Sequence, residues 1–208
     1  MSDFKKPIAG AGPSRLERTS VILFHKPKGY LVTRKDERER KTVYHALPPF
    51  FLQEGWVPIG RLDKDSRGLL LFTQDGTLVD LLTEPGRCEK TYEVEIRGRI
   101  SDEDLSRTLE GVPTSIGTLK VHRITKKREV GPKTQLEVAL WEGKNRHLRR
   151  VFHALKDPKF HTPLKVLDLK RVQIGPLILD IPVGAWRFST THEETQLFAS
   201  LKTPRQGD

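Results

Sequence analysis

Leu69-Leu70-Leu71-Phe72 is an unbroken apolar run entered from a loop dense in charge, and that junction constrains the fold more than any other feature of the chain. Gly68 precedes it and Gln74-Asp75-Gly76 follows it, so it reads as a short buried strand turning into a helix that holds Leu78, Leu81 and Leu82. The pattern recurs along the chain. Val21-Ile22-Leu23-Phe24 ends at Lys26-Pro27-Lys28-Gly29, a strand entering a turn. Tyr92, Val94 and Ile96 alternate inward along a half-buried strand. Ser101-Asp102-Glu103-Asp104 opens a helix with a start like a capping box. Strands follow around 116–127 and 134–140, joined by a Gly131-Pro132 turn, and again around 164–181. Strand runs punctuated by single helices point to an α+β fold with a largely antiparallel mixed sheet and flanking helices.

A chain of 208 residues supports one main domain. It is expected over 19–200, between flexible tails at 1–18 and 201–208 that lack apolar periodicity. The 37 Lys and Arg outnumber the 27 Asp and Glu, and the resulting +10 field attracts polyanions. RNA, DNA and anionic membrane surfaces all satisfy that charge. No apolar run approaches the roughly 20 residues that span a bilayer, and Met1 to Arg18 has no secretory apolar segment. The single Cys88 excludes an intrachain disulfide and a multi-cysteine zinc site, so a cytoplasmic setting is expected. No histidine pair has zinc-ligand spacing with cysteine support, and no phosphate-cradling glycine loop is present. No metal or cofactor is expected, and no membrane partner.

The loop Gly60-Arg61-Leu62-Asp63-Lys64-Asp65-Ser66-Arg67-Gly68 sets charged groups on the end of the apolar strand, a rigid mount for a catalytic group. On composition alone a polar surface turn is the favoured reading. Arg34 to Lys41 reads as a solvated loop. In the helix expected near Asn145, Leu148, Val151, Phe152 and Leu155 form an apolar stripe. Arg146, Arg149, Arg150 and His153 then fall on the opposite face, where phosphate contact is the better reading.

The loop and strand together resemble a motif of the pseudouridine synthases, in the RsuA/RluE-type branch. Gly60 to Asp63, Ser66, Gly68 to Leu70, Thr73, Asp75 and Gly76 match it in order. Lys26-Pro27-Lys28-Gly29, Lys90-Thr91-Tyr92-Glu93-Val94 and Glu142 to Arg150 resemble further motifs of that family. So do Leu169-x-Arg171-x-x-Ile174-Gly175 and Gly184-x-Trp186-Arg187. The resemblance covers about residues 20–188 and implies the pseudouridine synthase fold. Many relatives carry a small N-terminal RNA-binding domain, but the catalytic pattern begins here near residue 20. The resemblance therefore leans toward the E-type enzymes of large-subunit ribosomal RNA.

Such an enzyme cuts the bond between a uracil nitrogen and ribose, turns the base and rejoins it through a ring carbon. The resemblance assigns Asp63 as the carboxylate that attacks or deprotonates the sugar, Tyr92 as the aromatic face for the uracil, and Arg149 as the cation that holds the carboxylate ionised. Asp65 is the rival carboxylate in second place. Arg61 is implied in displacing the base. Lys90, Lys144, Asn145, Arg146, His147 and Arg150 are implied in substrate binding. Many relatives have Gln where His147 stands, which leaves a polar, RNA-facing contact expected there. The partner implied is RNA, either ribosomal RNA or a pre-ribosomal particle, bound by a monomer. A non-catalytic RNA-binding or ribosome-assembly protein on the same fold is the alternative. A nuclease would need acidic groups gathered around metal ions, and Asp63 with Asp65 is a thin set for that.

Overall fold

The computed structural model describes residues 20–201. The tail expected at 1–18, and all but Leu201 of the one expected at 201–208, lie outside that range. Elements follow in the order β1 (Val21–Lys26), a 3-10 turn (Val43–Ala46), α1 (Phe50–Gln53), β2 (Val57–Ile59), β3 (Arg67–Thr73), α2 (Gly76–Thr83) and β4 (Lys90–Arg97). Then come α3 (Asp102–Glu110), β5 (Val112–Thr114), β6 (Gly117–Leu119), β7 (Arg123–Val130) and β8 (Lys133–Leu140). The last are α4 (His147–Ala154), β9 (Lys165–Ile174), β10 (Leu177–Ile178), β11 (Trp186–Phe188) and α5 (Thr191–Leu201).

The main sheet runs β11-β1-β3-β9-β4-β8-β7, with β2 added to β3 and β10 to β9. Every pairing in it is antiparallel except β3 with β9, so the fold is the mixed, largely antiparallel α+β expected. The apolar runs in β1 and β3 are continuous because both faces of these strands are covered. Ile22, Phe24, Leu70 and Phe72 pack with Phe51 of α1 and with Leu148, Val151 and Phe152 of α4. Val21, Leu23, Leu69 and Leu71 face the other way, onto Leu78 and Leu82 of α2 and Leu197 and Leu201 of α5. Each such Leu or Phe contributes about 1.5–3 kcal/mol on burial. β4 shows the expected one-sided pattern: Tyr92, Val94 and Ile96 are buried while Glu93 is exposed. Ser101 caps α3 by accepting from the Asp104 amide at 3.1 Å. Leu201, assigned from sequence to the C-terminal tail, is the buried end of α5.

The parallel contact of β3 with β9 is short, only Arg67 with Lys170 and Gly68 with Arg171. Gly68 sits at φ +118, and a Cβ there would drive into the backbone of Arg171. Only glycine satisfies both the dihedral and the close approach. Gly68→Ala should therefore cost at least about 3 kcal/mol, since positive-φ strain (roughly 1–3 kcal/mol) and the clash add. Gly131→Ala, at φ +57 in open space, should cost only about 1–2 kcal/mol. Urea unfolding of the two variants measures the contrast, and equal costs would show that the seam tolerates a side chain.

Candidate active site

The site loop precedes β3, and a buried lysine holds it from below. Lys26 is fully buried at the end of β1, where its Nζ donates to the carbonyls of Ser66 (2.9 Å), Pro27 (3.1 Å) and Asp63 (3.2 Å). The Gly29 amide donates to Lys64 O at 2.7 Å, and the Ser66 amide closes a turn on Asp63 O at 3.1 Å. The Lys26-to-Gly29 turn is thus the cradle of the Asp63 loop. Burial pushes the Lys26 ammonium down to about 8 although Asp63 and Asp65 pull it upward. Nothing in the sequence marks this residue as buried, because a lysine closing an apolar run ordinarily reaches solvent.

Two carboxylates and two guanidiniums meet above this cradle. Asp63 Oδ2 lies 3.7 Å from Arg149 Nε and 3.6 Å from Arg146 Nη1. Asp65 lies 3.3 Å from Arg149 Nη2 and 3.4 Å from Arg146 Nη1. Arg149 is fixed by Val166 O, Asp65 O and Ser66 Oγ at 3.2–3.3 Å, while its buried Nε has no hydrogen-bond partner among the described residues. The contacts to Asp63 exceed the roughly 2.7–2.9 Å of a charge-assisted hydrogen bond. Its carboxylate is held by charge with lone pairs still available. Asp168 is the contrast. Lys28 and Arg67 each meet it at 2.7 Å, and against the upward push of burial their hydrogen bonds hold it at about 2, as a closed structural bridge. For Asp65, burial raises the carboxyl, but Arg149 and Arg146 outweigh it and the net shift is downward.

Asp63 and Tyr92 line one cavity of about 840 Å³. Tyr92 stands on β4 opposite Arg171 of β9, the residue that also faces Gly68. Arg171 is buried, donates from Nε to Leu69 O at 2.7 Å, and lines the same cavity with Nη2 unpartnered among the described residues. A detached base between Asp63 and Tyr92 would find a spare donor in it. Sequence reading placed Arg171 in a motif without a role.

The other sequence-predicted residues divide. Arg61, Lys144 and Asn145 are exposed on the cavity rim. Segment 31–40 supplies another wall, and its Asp36–Arg40 ion pair of 2.6 Å lies at the surface. Lys90 also lines the cavity, but its Nζ donates to Leu82 O and Cys88 O at 3.1 and 2.9 Å, so two of its three donors serve the fold and not a substrate. His147 is a clearer correction. It is buried, with Nε2 3.0 Å from Lys120 O and Nδ1 accepting from the Lys144 amide at 3.4 Å, so it packs the helix start where an RNA-facing contact was expected. Burial lowers its pKa despite the Lys120 bond, which keeps it neutral at physiological pH. Arg150 spends bonds on Asn145 O (3.0 Å), Asn145 Oδ1 (3.3 Å) and Ser115 Oγ (2.6 Å). Arg146 was expected to contact phosphate alone but also belongs to the Asp63 pair. It caps α4 in the left-handed conformation, φ 50, which turns it from the helix face toward the carboxylates.

A family model for RNA pseudouridylate synthase matches residues 20–154. The chain belongs to that family. Ribosomal large subunit pseudouridine synthase B of Haemophilus influenzae is 35% identical over 182 residues, covering 86% of this chain and 49% of that protein. The enzyme of the same name from Yersinia pestis is 36% identical over 169 residues, covering 80% and 51%. The chain thus spans about half the length of the curated relatives it matches, and those relatives carry the B designation where the sequence pattern leaned to E. A solved pseudouridylate synthase superposes with a TM-score of 0.71 at 26% identity, covering 86% of this chain and 73% of that one. Among the described residues no helix is long and apolar enough to cross a membrane, and no cluster of three metal-ligating side chains occurs.

Lys26 gives the site a measurable signature. Its folded pKa is depressed, so between about 8 and the ordinary lysine value of 10.5 the unfolded chain binds a proton that the folded protein has released. Its contribution to stability therefore rises with pH across that window. Lys26→Met should be destabilised by at least about 2 kcal/mol, because three buried carbonyls lose their donor. The gap to the wild type should widen from pH 8 to 10, measured by urea unfolding at a series of pH values. A gap independent of pH would mean that Lys26 keeps an ordinary pKa.

Proposed function

We propose that this chain isomerises a uridine of large-subunit ribosomal RNA to pseudouridine, with residues 19–200 as the catalytic unit. The observation that carries the reading is the Asp63 carboxylate opening into the cavity that Tyr92 also lines, with the Arg149 and Arg146 guanidiniums 3.7 and 3.6 Å away. Family membership supports it, as do the names of the relatives. In the reaction the bond from uracil nitrogen to C1′ breaks and a bond from a ring carbon to C1′ forms. That carbon gives up its proton and the freed nitrogen gains one, so no redox partner is consumed. Asp63 acts on the ribose as nucleophile or base. Tyr92 holds the detached base against the pocket wall, and the Arg149 guanidinium positions the carboxylate. Arg61, on the rim, helps displace the target base. A uridine in folded RNA must be turned out of its stack, at a cost of a few kcal/mol that backbone contacts offset. The basic surface around α4 is suited to supply them. We place the enzyme in the cytoplasm, acting as a monomer without metal or cofactor. The site does not favour a non-catalytic RNA-binding protein, because an open carboxylate beside an aromatic pocket wall has no use there.

Asp63→Asn should lower single-turnover pseudouridine formation at least about 10³-fold while RNA binding is largely kept. Asp65→Asn, whose carboxylate lies outside the cavity lining, should stay close to the wild type. Arg149→Ala should cut the single-turnover rate severely with a modest loss of binding. The assay is pseudouridine mapping in a large-subunit rRNA transcript incubated with purified protein. Normal turnover by Asp63→Asn would sink the reading.

A further inference from the structure

A second cavity of about 830 Å³ lies behind the Asp63 site, and the two share Arg146 as a wall. Lys28, Arg146, Arg149, Arg150 and Lys165 line it against the single carboxylate of Asp65, and Arg146 and Arg149 already neutralise that group. It follows α4 past His153 and Ala154 to Leu164 and Lys165 of the β9 start. A groove with a cationic excess, sharing the Arg146 wall with the catalytic cavity, suits a polyanion that runs along both.

At its far end stands a loop that the reaction does not explain. Residues 155–163 join Ala154 to Leu164, both of which line the groove, so the two ends of this loop are anchored at it. Asp157 is buried and accepts from the amides of Lys159 (2.8 Å), Phe160 (2.9 Å) and Arg99 (2.7 Å). The Asp157 amide donates to Thr162 O and the His161 amide to Asp157 O, each at 2.9 Å, and His161 is held at φ 55. A Cβ on Gly98 would meet the Asp157 carboxylate and Leu164, so the strand beneath is shaped to the loop. A single exposed apolar side chain is ordinary on a protein surface. What sets this loop apart is that so much internal bonding presents Phe160, 64% exposed, between Lys159 and His161. Lys159 Nζ lies 5.3 Å from the ring centroid and leaves the other ring face to solvent. Aromatic rings among cations are the surfaces on which unpaired bases stack while phosphates track the charge.

We propose that this groove takes the single-stranded RNA flanking the target uridine, with Lys165 on its phosphates and Phe160 stacked on one of its unpaired bases. The assignment rests on the reading of the chain as an RNA uridine isomerase and names where that substrate's flank lies. The ring supplies sequence-tolerant affinity, and the groove cations supply its salt dependence.

The experiment titrates the full chain with a fluorescein-labelled single-stranded RNA carrying a central uridine, at several salt concentrations. Phe160→Ala should bind roughly ten-fold more weakly with an unchanged salt slope, because it loses a stacked base and no phosphate contact. Phe160→Trp should restore affinity, and its added emission should be quenched by the RNA. Lys165→Ala should flatten the slope by about 0.7 log units per log unit of salt. The ring is exposed, so unfolding midpoints should match the wild type and exclude a folding defect. Wild-type RNA affinity in Phe160→Ala overturns the proposal, and so does an unquenched Phe160→Trp. Either result would assign the tip to a protein partner. Asp63→Asn, run in parallel, separates the two readings. Turnover by that variant alone sinks the isomerase, while intact binding by Phe160→Ala alone sinks the groove.

Discussion

Everything in the site depends on the close approach of Gly68 to Arg171. Two antiparallel assemblies, β11-β1-β3 with β2 on one side and β9-β4-β8-β7 on the other, meet only through two residues of parallel pairing. A side chain at Gly68 would separate them. Because the strands touch there, the loop that enters β3 hangs over β4, and Asp63 comes to share a cavity with Tyr92, 29 positions later in the chain. Arg171 strengthens the seam with its bond to Leu69 O and lines that cavity as well. Fold and site are therefore set by one contact.

The seam has an electrostatic cost that the neighbouring groups distribute. Lys26, Arg171 and, in large part, Lys90 lie out of water near Asp63, and burial pushes both lysine ammonium groups down. Lys26 and Lys90 are satisfied mostly by main-chain carbonyls, which carry partial charge and keep their position. The carboxylates of Asp63 and Asp65 then face two arginines, which keep their charge when buried. Among the described residues neither oxygen of Asp63 is closed off by a short bond, whereas Asp168, with two short ones, is spent on holding β9 to β3. The difference in bond length separates a carboxylate with open lone pairs from one closed into a structural bridge.

The sequence made legible whatever is encoded by local pattern. Apolar continuity marked β1 and β3, alternation marked β4, the cap at Ser101 marked α3, and the charged loop on a strand end marked Asp63. Arg149 was legible only through resemblance, since helical periodicity sets it among solvated residues. The residues whose burial the sequence did not reveal share one cause. His147, Lys90 and Lys26 are polar residues whose burial depends on distant carbonyls at 120, at 82 and 88, and at 63 and 66. No window of neighbouring residues contains that information. Arg146 escaped because the left-handed turn that redirects it belongs to a non-glycine residue, which composition does not flag. The short elements α1, β2 and β11 were missed because tertiary packing creates them.

The formal charge of +10 is best understood by where each cation ends up. Lys26 and Arg171 are internal and neutralise nothing outside. Lys126, Lys127 and Lys133, on the hairpin of β7 and β8, are each paired with a glutamate of the same sheet or its turn. The basic hairpin is therefore largely self-compensated. Arg150 of α4 and Lys165 at the start of β9 have no carboxylate within ion-pair reach among the described residues, and the same holds for Lys35, Arg38, Arg61 and Lys64 on the walls of the Asp63 cavity. A polyanion is drawn by what remains after internal pairing, and these cations flank both cavities.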